Sequence, residues 1–357
     1  MQTLNGKKVF LTGHTGFKGA WLIYLLHRMG AEVMGYSLSP NTTPSLFEVI
    51  HGEKMCHSVL GDIRDTEHLH KMMTEFQPDI IFHLAAQPIV RTSYQIPAET
   101  FEVNAIGTAN VLDGIRLLDK PCVGVMITTD KVYQNNETGQ AYTEDDRFGG
   151  YDPYSASKAC AELVIDSYRK SFFNPTDYDR HHKAIASARA GNVIGGGDWA
   201  ADRLIPDIVR ALSKGETIQI RNPKAVRPWQ HVLEPLSGYI LLAKKLMDDP
   251  VRYAEGFNFG PNPTDTLTVE EMTKMALDIW GKGSFIFPKL ENQPHEAGLL
   301  SLDITKAEKM LGWRPHFNAK KALEMTLEWY KTFYKADASF LMKLMDEQCS
   351  ALIPTSA

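Results

Sequence analysis

A glycine-rich turn near the N-terminus limits the folds open to this chain more than any other feature. A strand candidate at residues 8–11 leads directly into TGHTGFKG, which places glycines at Gly13, Gly16 and Gly19. Three glycines can form an ordinary turn. Here they stand between a predicted first strand and a helix that opens at Phe17, where glycine allows positive φ and a close approach of backbone to pyrophosphate. Because the helix start also favours an anion, we predict a dinucleotide-binding turn with G-x-x-G-x-x-G spacing.

Strand and helix patterns alternate through the first half of the chain. We predict strands at residues 8–11, 32–36, 58–60, 79–84, 123–128 and 184–190, and helices at 17–29, 97–118 and 153–171. This alternation predicts an α/β fold of the Rossmann type, with a doubly wound parallel sheet. Nearly continuous apolar strands suit a sheet that helices cover on both faces.

The pattern of predicted strands and helices changes after residue 195. Shorter strands, at 217–220, 256–259 and 284–287, mix with helices at 202–214, 232–247 and 268–281. We therefore predict an NAD-binding domain at 1–195, which carries the catalytic residues, and at 196–348 a smaller mixed α/β lobe that mainly binds substrate. This boundary is compatible with a return of the chain to the sheet.

Charge and cysteine usage exclude several classes of function. A net charge of -5 argues against non-specific binding of nucleic acid. The four cysteines are scattered with no C-x-x-C pair, so we expect neither a disulfide framework nor a metal site, and a reducing cytoplasm fits. No signal peptide or membrane span is expected, because glycine and polar residues interrupt the N-terminal apolar run and the longest apolar stretch is short.

The ends of the second and third predicted strands bear on the choice of cofactor. Tyr36-Ser37-Leu38-Ser39 offers no acidic residue for a ribose 2′-hydroxyl and no arginine for a 2′-phosphate, which favours NAD over NADP. Asp62 and Ile63 follow the third strand. The carboxylate there can accept a hydrogen bond from the adenine amino group, or it can cap a helix.

Two segments further on carry candidate catalytic residues. Tyr154 and Lys158 are four residues apart on a predicted helix and so share one face, and Thr129 stands at the carboxyl end of a strand. A phenol with a pKa near ~10 is a poor base at neutral pH, but an adjacent ammonium favours the phenolate. Such a pair can take a proton from a substrate hydroxyl, and the lysine can also reach a nicotinamide ribose. Tyr-x-x-x-Lys alone is common on surface helices; the glycine turn upstream favours the catalytic interpretation.

Five ordered motifs over the first two-thirds of the chain resemble the extended short-chain dehydrogenase/reductase family. They are TGHTGFKG, HLAAQ, VNAIGT, TTDKVY and YSASK. TTDKVY resembles the active-site segment of the nucleotide-sugar 4,6-dehydratases. The sugar 4-epimerases usually show small residues in place of Asp130 and Lys131, and the thymidine-diphosphate-glucose branch shows Asp-Glu. The Asp-Lys pair, with GGGDWAADRLIP and RPWQHVLEPLSGY, is most similar to the branch that acts on CDP-glucose.

The resemblance implies a reaction and a role for each catalytic residue. The C4 hydroxyl of the sugar is oxidised, water is lost across C5 and C6, and hydride returns to C6, with NAD recycled internally. Tyr154 would be the C4 base, with Thr129 as its hydrogen-bonding partner, and Asp130 would protonate the departing C6 hydroxyl. Lys131 would face the C5 proton, as a base if its pKa is depressed or as an electrostatic stabiliser of the enolate. The alternative for Asp130 and Lys131 is a structural ion pair.

The resemblance also implies the residues that bind cofactor and substrate. The cofactor-binding residues would be Gly13, Gly16, Phe17, Gly19, Asp62, Ile63, Leu84, Ala85, Ala86, Thr128, Tyr154 and Lys158. The substrate-binding residues would be Gln87, Asn192, Arg203, Leu204, Arg227 and His295. Arg203 and Arg227 are either clamps for the diphosphate or solvated surface residues. Trp229 packs on the base or in the core, and His295 replaces an arginine that relatives carry near Leu299 and Leu300.

Members of this family commonly form a homodimer, or a dimer of dimers, through two helices. Ala105, Ala109, Leu112 and Ile115 form an apolar stripe that fits either this interface or a monomer core. Two rival functions remain: another nucleotide-sugar dehydratase or a 4-epimerase, and a non-catalytic NAD sensor. The Asp130-Lys131 pair disfavours the epimerase, and the Tyr154-Lys158 pair disfavours the sensor.

Overall fold

A parallel sheet of seven strands forms the centre of the computed structural model, which describes residues 4–137, 139–288 and 300–352. The strands are β1 Lys8–Thr12, β2 Glu32–Ser37, β3 His57–Leu60, β4 Ile80–His83, β5 Cys122–Thr129, β6 Lys183–Ala190, β7 Val193–Ile194, β8 Ile218–Gln219, β9 Val226–Arg227, β10 Gln230–His231, β11 Gly256–Phe259, β12 Leu267–Thr268 and β13 Phe285–Ile286. The central sheet has the order β11-β6-β5-β4-β1-β2-β3, and the other strands form two-residue ladders. The predicted α/β class and doubly wound parallel sheet are confirmed.

Helices cover both faces of this sheet. They are α1 Phe17–Arg28, α2 Leu46–Val49, α3 Thr66–Phe76, α4 Val90–Gln95, α5 Pro97–Phe101, α6 Gly107–Arg116, α7 Pro153–Ser171, α8 Tyr178–His181, α9 Leu204–Lys214, α10 Leu233–Asp248, α11 Val269–Trp280, α12 Ala319–Lys335 and α13 Ala338–Ser350. Every residue of β5 and β6 is buried, as a sheet packed on both sides requires. Among the described helices, none is long and apolar enough to cross a membrane.

The strand order opens a crevice beside β1. From β1, the chain builds the sheet outward through β2 and β3 on one side and through β4, β5 and β6 on the other. The loops after β1 and β4 therefore leave the carboxyl edge in opposite directions, and ligands of open α/β sheets bind in that gap. The catalytic segments predicted from the sequence follow β5 or begin α7, at the same edge.

The chain returns to the sheet after residue 195. β11 pairs with β6 in parallel, and α10 packs against β5 and β6. The loop after β7 is tied to the first βα unit, because the Trp21 indole donates to the Gly196 carbonyl at 2.9 Å. The segment predicted as the substrate lobe therefore supplies part of the central sheet as well as one wall of the crevice.

The apolar stripe on the helices before β5 belongs mainly to the core of the monomer. Leu112 and Ile115 are fully buried, and Ala105 is nearly so. The exposed apolar side chains of this region are different ones: Ile106 is 55% exposed, and Leu163 on α7 is 58% exposed.

Candidate active site

A cleft of about 1260 Å³ lies at the carboxyl edge of the sheet, between the glycine turn and the residues that follow β6. The structure brings nearly all of the predicted site residues together here. Those that line the cleft are Gly13, Gly16, Phe17, Gly19, Asp62, Ile63, Leu84, Ala85, Ala86, Gln87, Thr128, Thr129, Lys131, Tyr154, Lys158, Asn192, Arg203, Leu204 and Arg227. Asp130 is buried behind the wall of the cleft, and His295 lies outside the described residues.

The glycine turn is packed closely on one side and open on the other. Gly13 has a φ of 77°, and a Cβ there would lie 2.7 Å from the Ala85 nitrogen, while a Cβ on Gly19 would lie 2.1 Å from the Gly13 oxygen. Gly16 has much more room, since its nearest contact would be at 3.4 Å. It is the N-cap of α1 and has no side-chain cap, so the first N–H groups of this twelve-residue helix remain available to the cleft. These features fit the diphosphate of a dinucleotide.

The residues after β2 and β3 form the far end of the cleft. The Thr15 hydroxyl bonds to the Ser37 hydroxyl at 2.9 Å and donates to the Leu38 carbonyl at 2.8 Å, which ties the glycine turn to the end of β2. Asp62 accepts from the Arg64 guanidinium at 2.7 and 3.0 Å, and this bond holds the pKa of the carboxyl below its ordinary value. The alternative that Asp62 caps the next helix is wrong, because Asp65 occupies the N-cap of α3.

A buried histidine that the sequence reasoning missed supports the turn after β4. His83 Nδ1 bonds to the Thr12 hydroxyl at 2.8 Å, and its Nε2 bonds to the Thr108 hydroxyl at 3.1 Å. Thr12 in turn accepts from the Ala85 N–H at 3.2 Å. Burial lowers the pKa of His83 to about 3, so the imidazole is neutral at physiological pH and links β1, β4 and α6.

Gln87 lines the cleft, but its side chain is engaged with its own chain. Its Oε1 accepts from the Ile89 N–H at 2.6 Å, and its Nε2 donates to the Thr100 hydroxyl at 3.0 Å. The backbone N–H of Gln87 is held by Asn104, which also donates to Ser157 on α7. In this structure Gln87 shapes the turn between β4 and α4, and Asn104 links this turn to α7.

Tyr154 and Lys158 lie in the first two turns of α7, which begins at Pro153. Asp152 caps the helix by accepting from the Ser155 N–H at 2.9 Å. Burial raises the pKa of Tyr154, whereas the Lys131 ammonium and a hydrogen bond to Thr129 act in the opposite direction. The leading charge that favours the phenolate is therefore that of Lys131, whereas the sequence reasoning assigned this effect to Lys158.

Lys158 is held beneath the tyrosine by the end of β5. Its Nζ donates to the Ile127 carbonyl at 3.3 Å, and 5% of the residue is exposed. Burial lowers the pKa of Lys158 to about 8, and the Glu162 carboxylate, one turn further along α7, opposes that shift. The lysine is thus placed to donate a hydrogen bond into the floor of the cleft.

A short 3-10 turn, Asp130–Val132, follows β5 and holds the Asp-Lys pair. Asp130 Oδ1 accepts from the Thr129 hydroxyl at 2.9 Å and from Lys131 Nζ at 3.3 Å. Asp130 Oδ2 is buried without a hydrogen-bond partner among the described residues, and a Cβ on Gly191 would lie 2.7 Å from it. The ion pair expected as an alternative is therefore present, and it leaves one carboxylate oxygen facing a glycine of the cleft wall.

The two candidate arginine clamps differ in their surroundings. Arg203, at the N-cap of α9, donates to Asp198 Oδ2 at 2.8 Å, and this carboxylate raises the pKa of the guanidinium. Arg227 lies on β9 and also lines the cleft. Trp229 is 6% exposed and packs in the main core, while one side of it reaches the cleft.

Lys18 is a cleft residue that the sequence reasoning passed over. It lies inside the glycine motif, and its amine is close enough to feel the charges of Arg203, Asp130, Lys158 and Lys131. Burial, followed by the Arg203 charge, lowers the pKa of Lys18 to about 7. Its position directly after Phe17 at the helix start was the available signal, because a side chain there points toward the carboxyl edge of the sheet.

Comparison with known proteins agrees with this geometry. The family described as GDP-mannose 4,6 dehydratase matches residues 10–326. A CDP-glucose 4,6-dehydratase of Salmonella typhimurium is 48% identical over 332 residues, which cover 93% of this chain and 92% of that protein. A CDP-paratose 2-epimerase of Salmonella typhi is 26% identical over 90% of this chain and 98% of its own length.

Solved structures show the same fold at lower identity. The dTDP-glucose 4,6-dehydratase of Streptomyces venezuelae, crystallised with NAD, superposes with a TM-score of 0.76 at 24% identity, over 91% of this chain and 97% of that one. Because a family match spans most of the sequence and a relative of nearly equal length is 48% identical over 93% of it, the chain belongs to the GDP-mannose 4,6 dehydratase family.

Proposed function

We propose that this protein is an NAD-dependent lyase that converts CDP-glucose to CDP-4-keto-6-deoxyglucose. The observation that carries the proposal is the convergence of Thr129, Lys131, Tyr154 and Lys158 on one cleft, with Asp130 directly behind its wall. The cytidine substrate is the one named for the relative at 48% identity. The paired Asp130 and Lys131 support a dehydratase, since elimination needs groups at C5 and C6 that epimerisation at C4 does not.

The cofactor fits the end of the cleft nearest β1. The uncapped start of α1 and the open side of Gly16 would face the diphosphate of NAD, and Lys158 would donate to the nicotinamide ribose. When bound, NAD would accept a hydride from C4 of the sugar and return it to C6. Tyr154 would accept the C4 hydroxyl proton, and the nearby Lys131 charge favours the phenolate that this step needs.

Asp130 and Lys131 would serve the elimination step. Lys131 Nζ lies 3.3 Å from Asp130 Oδ1, and the two groups form an ion pair. An ammonium at this position would stabilise the enolate charge that develops when the C5 proton leaves. The unpartnered Asp130 Oδ2 faces the cleft wall at Gly191. It would take the proton from C5 and deliver it to the C6 hydroxyl, which then leaves as water.

The substrate preference tests the proposal directly. CDP-glucose should be turned over with the highest kcat/KM among the cytidine, thymidine, uridine and guanosine diphosphate glucoses. A mismatched base would leave polar groups of the site unpaired, which is the strongest form of discrimination that binding provides. Detection of the 4-keto-6-deoxy product by mass spectrometry checks this. Equal or better turnover of another nucleotide would overturn the cytidine assignment, a C4 epimer would support the epimerase, and no turnover would support the sensor.

Lys131→Glu should retain the binding of NAD and substrate but slow the elimination. The change replaces the ammonium with a carboxylate next to Asp130, so a charge that stabilises the enolate becomes one that opposes it. We expect kcat to fall by about 10- to 100-fold. Deuterium incorporation from solvent at C5 should fall in parallel. Oxidation at C4 should also slow, because the Lys131 charge favours the Tyr154 phenolate.

Lys131→Met provides the matched control for this variant, because it removes the ammonium without adding a negative charge. It should lie between the parent enzyme and Lys131→Glu in both rate and exchange. If all three proteins had the same rate and the same exchange at C5, Lys131 would be only the ion-pair partner of Asp130.

We propose in addition that the enzyme works as a cytoplasmic homodimer. Ile106 and Leu163, each more than half exposed, lie on the segment before α6 and on α7, the helices that the resemblance assigns to the interface. The described cysteines are all free, which fits a reducing compartment. Sedimentation of the full chain would test the dimer, and a monomer at assay concentrations would contradict it.

A further inference from the structure

A buried ion pair lies behind the catalytic helix. Glu162 on α7 accepts from Arg189 Nε at 3.0 Å and from Arg189 Nη2 at 2.9 Å. The same carboxylate accepts from the Thr128 hydroxyl at 2.5 Å and from the Ser187 hydroxyl at 2.9 Å. Glu162 is 2% exposed and Arg189 is 4% exposed. The pair therefore fastens α7 to the ends of β5 and β6, and all of its charge is satisfied inside the protein.

The third nitrogen of the Arg189 guanidinium extends this hydrogen-bond network away from α7, toward β11. Arg189 Nη1 donates to the Tyr133 hydroxyl at 2.7 Å, and Tyr133 donates to Asn258 Oδ1 at 2.7 Å. Asn258, on β11, donates to the carbonyls of Tyr142 and Asp303 at 2.9 and 3.1 Å. Tyr133 and Asn258 are both almost completely buried. Tyr133 is thus bonded on two sides by groups that belong to different strands of the sheet.

Tyr133 connects this hydrogen-bond network to the turn that carries Asp130 and Lys131. The catalytic turn Asp130–Val132 has left the sheet, whereas Thr129 before it is still paired with Ala190 in the ladder. Tyr133 follows the turn at once. It contacts the rest of the protein through an isolated bridge to Phe148, through its hydroxyl, and through its ring, which packs against Tyr142, Phe148 and the Arg189 guanidinium. One end of the turn is therefore fixed by the strand, and the other end by Tyr133.

We propose that Tyr133, held by Arg189 and Asn258, is a positioning residue for Asp130 and Lys131. This inference rests on the proposed function. The backbones of the groups for oxidation at C4, Thr129 and Tyr154, are fixed by the ladder of β5 and by α7, and the turn contacts Thr129 through the bond from its hydroxyl to Asp130. The groups for elimination lie on the turn whose far end Tyr133 anchors, and small displacements of a reacting group are costly. Loosening this anchor should therefore slow elimination more than oxidation.

Tyr133→Phe tests the proposal with the loss of a single oxygen atom. Single-turnover samples of CDP-glucose are quenched at short times and analysed by mass spectrometry, which separates the 4-keto sugar that retains its C6 hydroxyl from the dehydrated product. The ratio of these two species should rise about 10-fold over that of the parent enzyme, while KM for CDP-glucose changes less than about 2-fold. Unfolded protein contributes to neither species, so a partly unfolded variant cannot by itself change the ratio.

Tyr142→Phe is the matched control. Tyr142 stacks on Tyr133 with ring centroids 5.4 Å apart, and its hydroxyl also takes part in two hydrogen bonds, to Asn135 Oδ1 and to the Asn136 N–H. These partners lie further along the loop, away from Asp130 and Lys131 in sequence. The ratio in Tyr142→Phe should match the parent value, whatever the fall in Tm.

The outcomes separate the two levels of the proposal. If the parent enzyme forms no keto sugar from CDP-glucose, the proposed function fails, and the role of Tyr133 in it fails as well. If the parent forms the product and Tyr133→Phe shows an unchanged ratio, or one equally changed in Tyr142→Phe, the function stands and the positioning role is refuted.

Discussion

Tyr154→Phe should lower kcat at least about 100-fold, the usual contribution of a positioned proton-transfer group. The phenol lies at the start of α7, where the Lys131 cation acts on its oxygen. Without that oxygen the C4 hydroxyl keeps its proton, and hydride cannot leave the carbon. The glycine turn and Lys158 are unchanged, so the Kd for NAD should stay within about 3-fold of the parent value.

Steady-state turnover of CDP-glucose and titration of NAD by calorimetry check the two halves of this prediction. Tyr168→Phe is the matched control, because Tyr168 lies on the same helix and packs against Phe172 and Phe173, away from the cleft residues. Its kcat should stay within about 2-fold of the parent value. Near-normal turnover of Tyr154→Phe would remove this tyrosine from the mechanism, and an equal loss in Tyr168→Phe would indicate a defect in the packing of α7.

The features that could be predicted from the sequence are those whose residues lie close together along the chain. Gly13, Gly16 and Gly19 lie within one turn, and Tyr154 and Lys158 lie within one helical repeat. The alternation of apolar strands with helices is also read over short windows. Because parallel strands place their carboxyl ends on one edge, knowledge of the strands was enough to bring these motifs to one cleft.

The features that were missed depend on contacts between distant segments. His83 is defined by partners on β1 and α6, and Arg189 by Glu162 on α7 and by Tyr133 in the loop after β5. No short window contains those pairs. The burial of Asp130 behind the cleft wall is of the same kind, since the wall is formed by Gly191 after β6. The helices after residue 318 were not predicted either, although their packing beneath the loop after β7 supports one side of the cleft.

CDP-glucose with deuterium at C4 should give a product with deuterium at C6 of the same sugar molecule. The proposed reaction removes hydride from C4 and delivers it to C6 after water is lost, so the label moves two carbons along the sugar and no external reductant is consumed. Retention requires that the sugar stay in place through all three steps. Arg203 and Arg227, which line the same cleft as the catalytic groups, would help to hold it there under the proposed function. Exclusion of solvent would also protect the reactive intermediate.

A mixture of labelled and unlabelled substrate makes this test decisive. The mixture contains equal amounts of unlabelled CDP-glucose and of CDP-glucose labelled at both C4 and the ribose. Mass spectrometry of the product then reports whether the two labels stay in the same molecule. Transfer within one molecule keeps them together, whereas exchange between molecules scrambles them. An epimerase would return the deuterium to C4, a simple dehydrogenase would lose it from the sugar, and a sensor would leave the substrate unchanged. Because each rival function places the label differently, deuterium found anywhere but C6 of its original sugar would overturn the dehydratase assignment, even if every residue of the cleft proved essential.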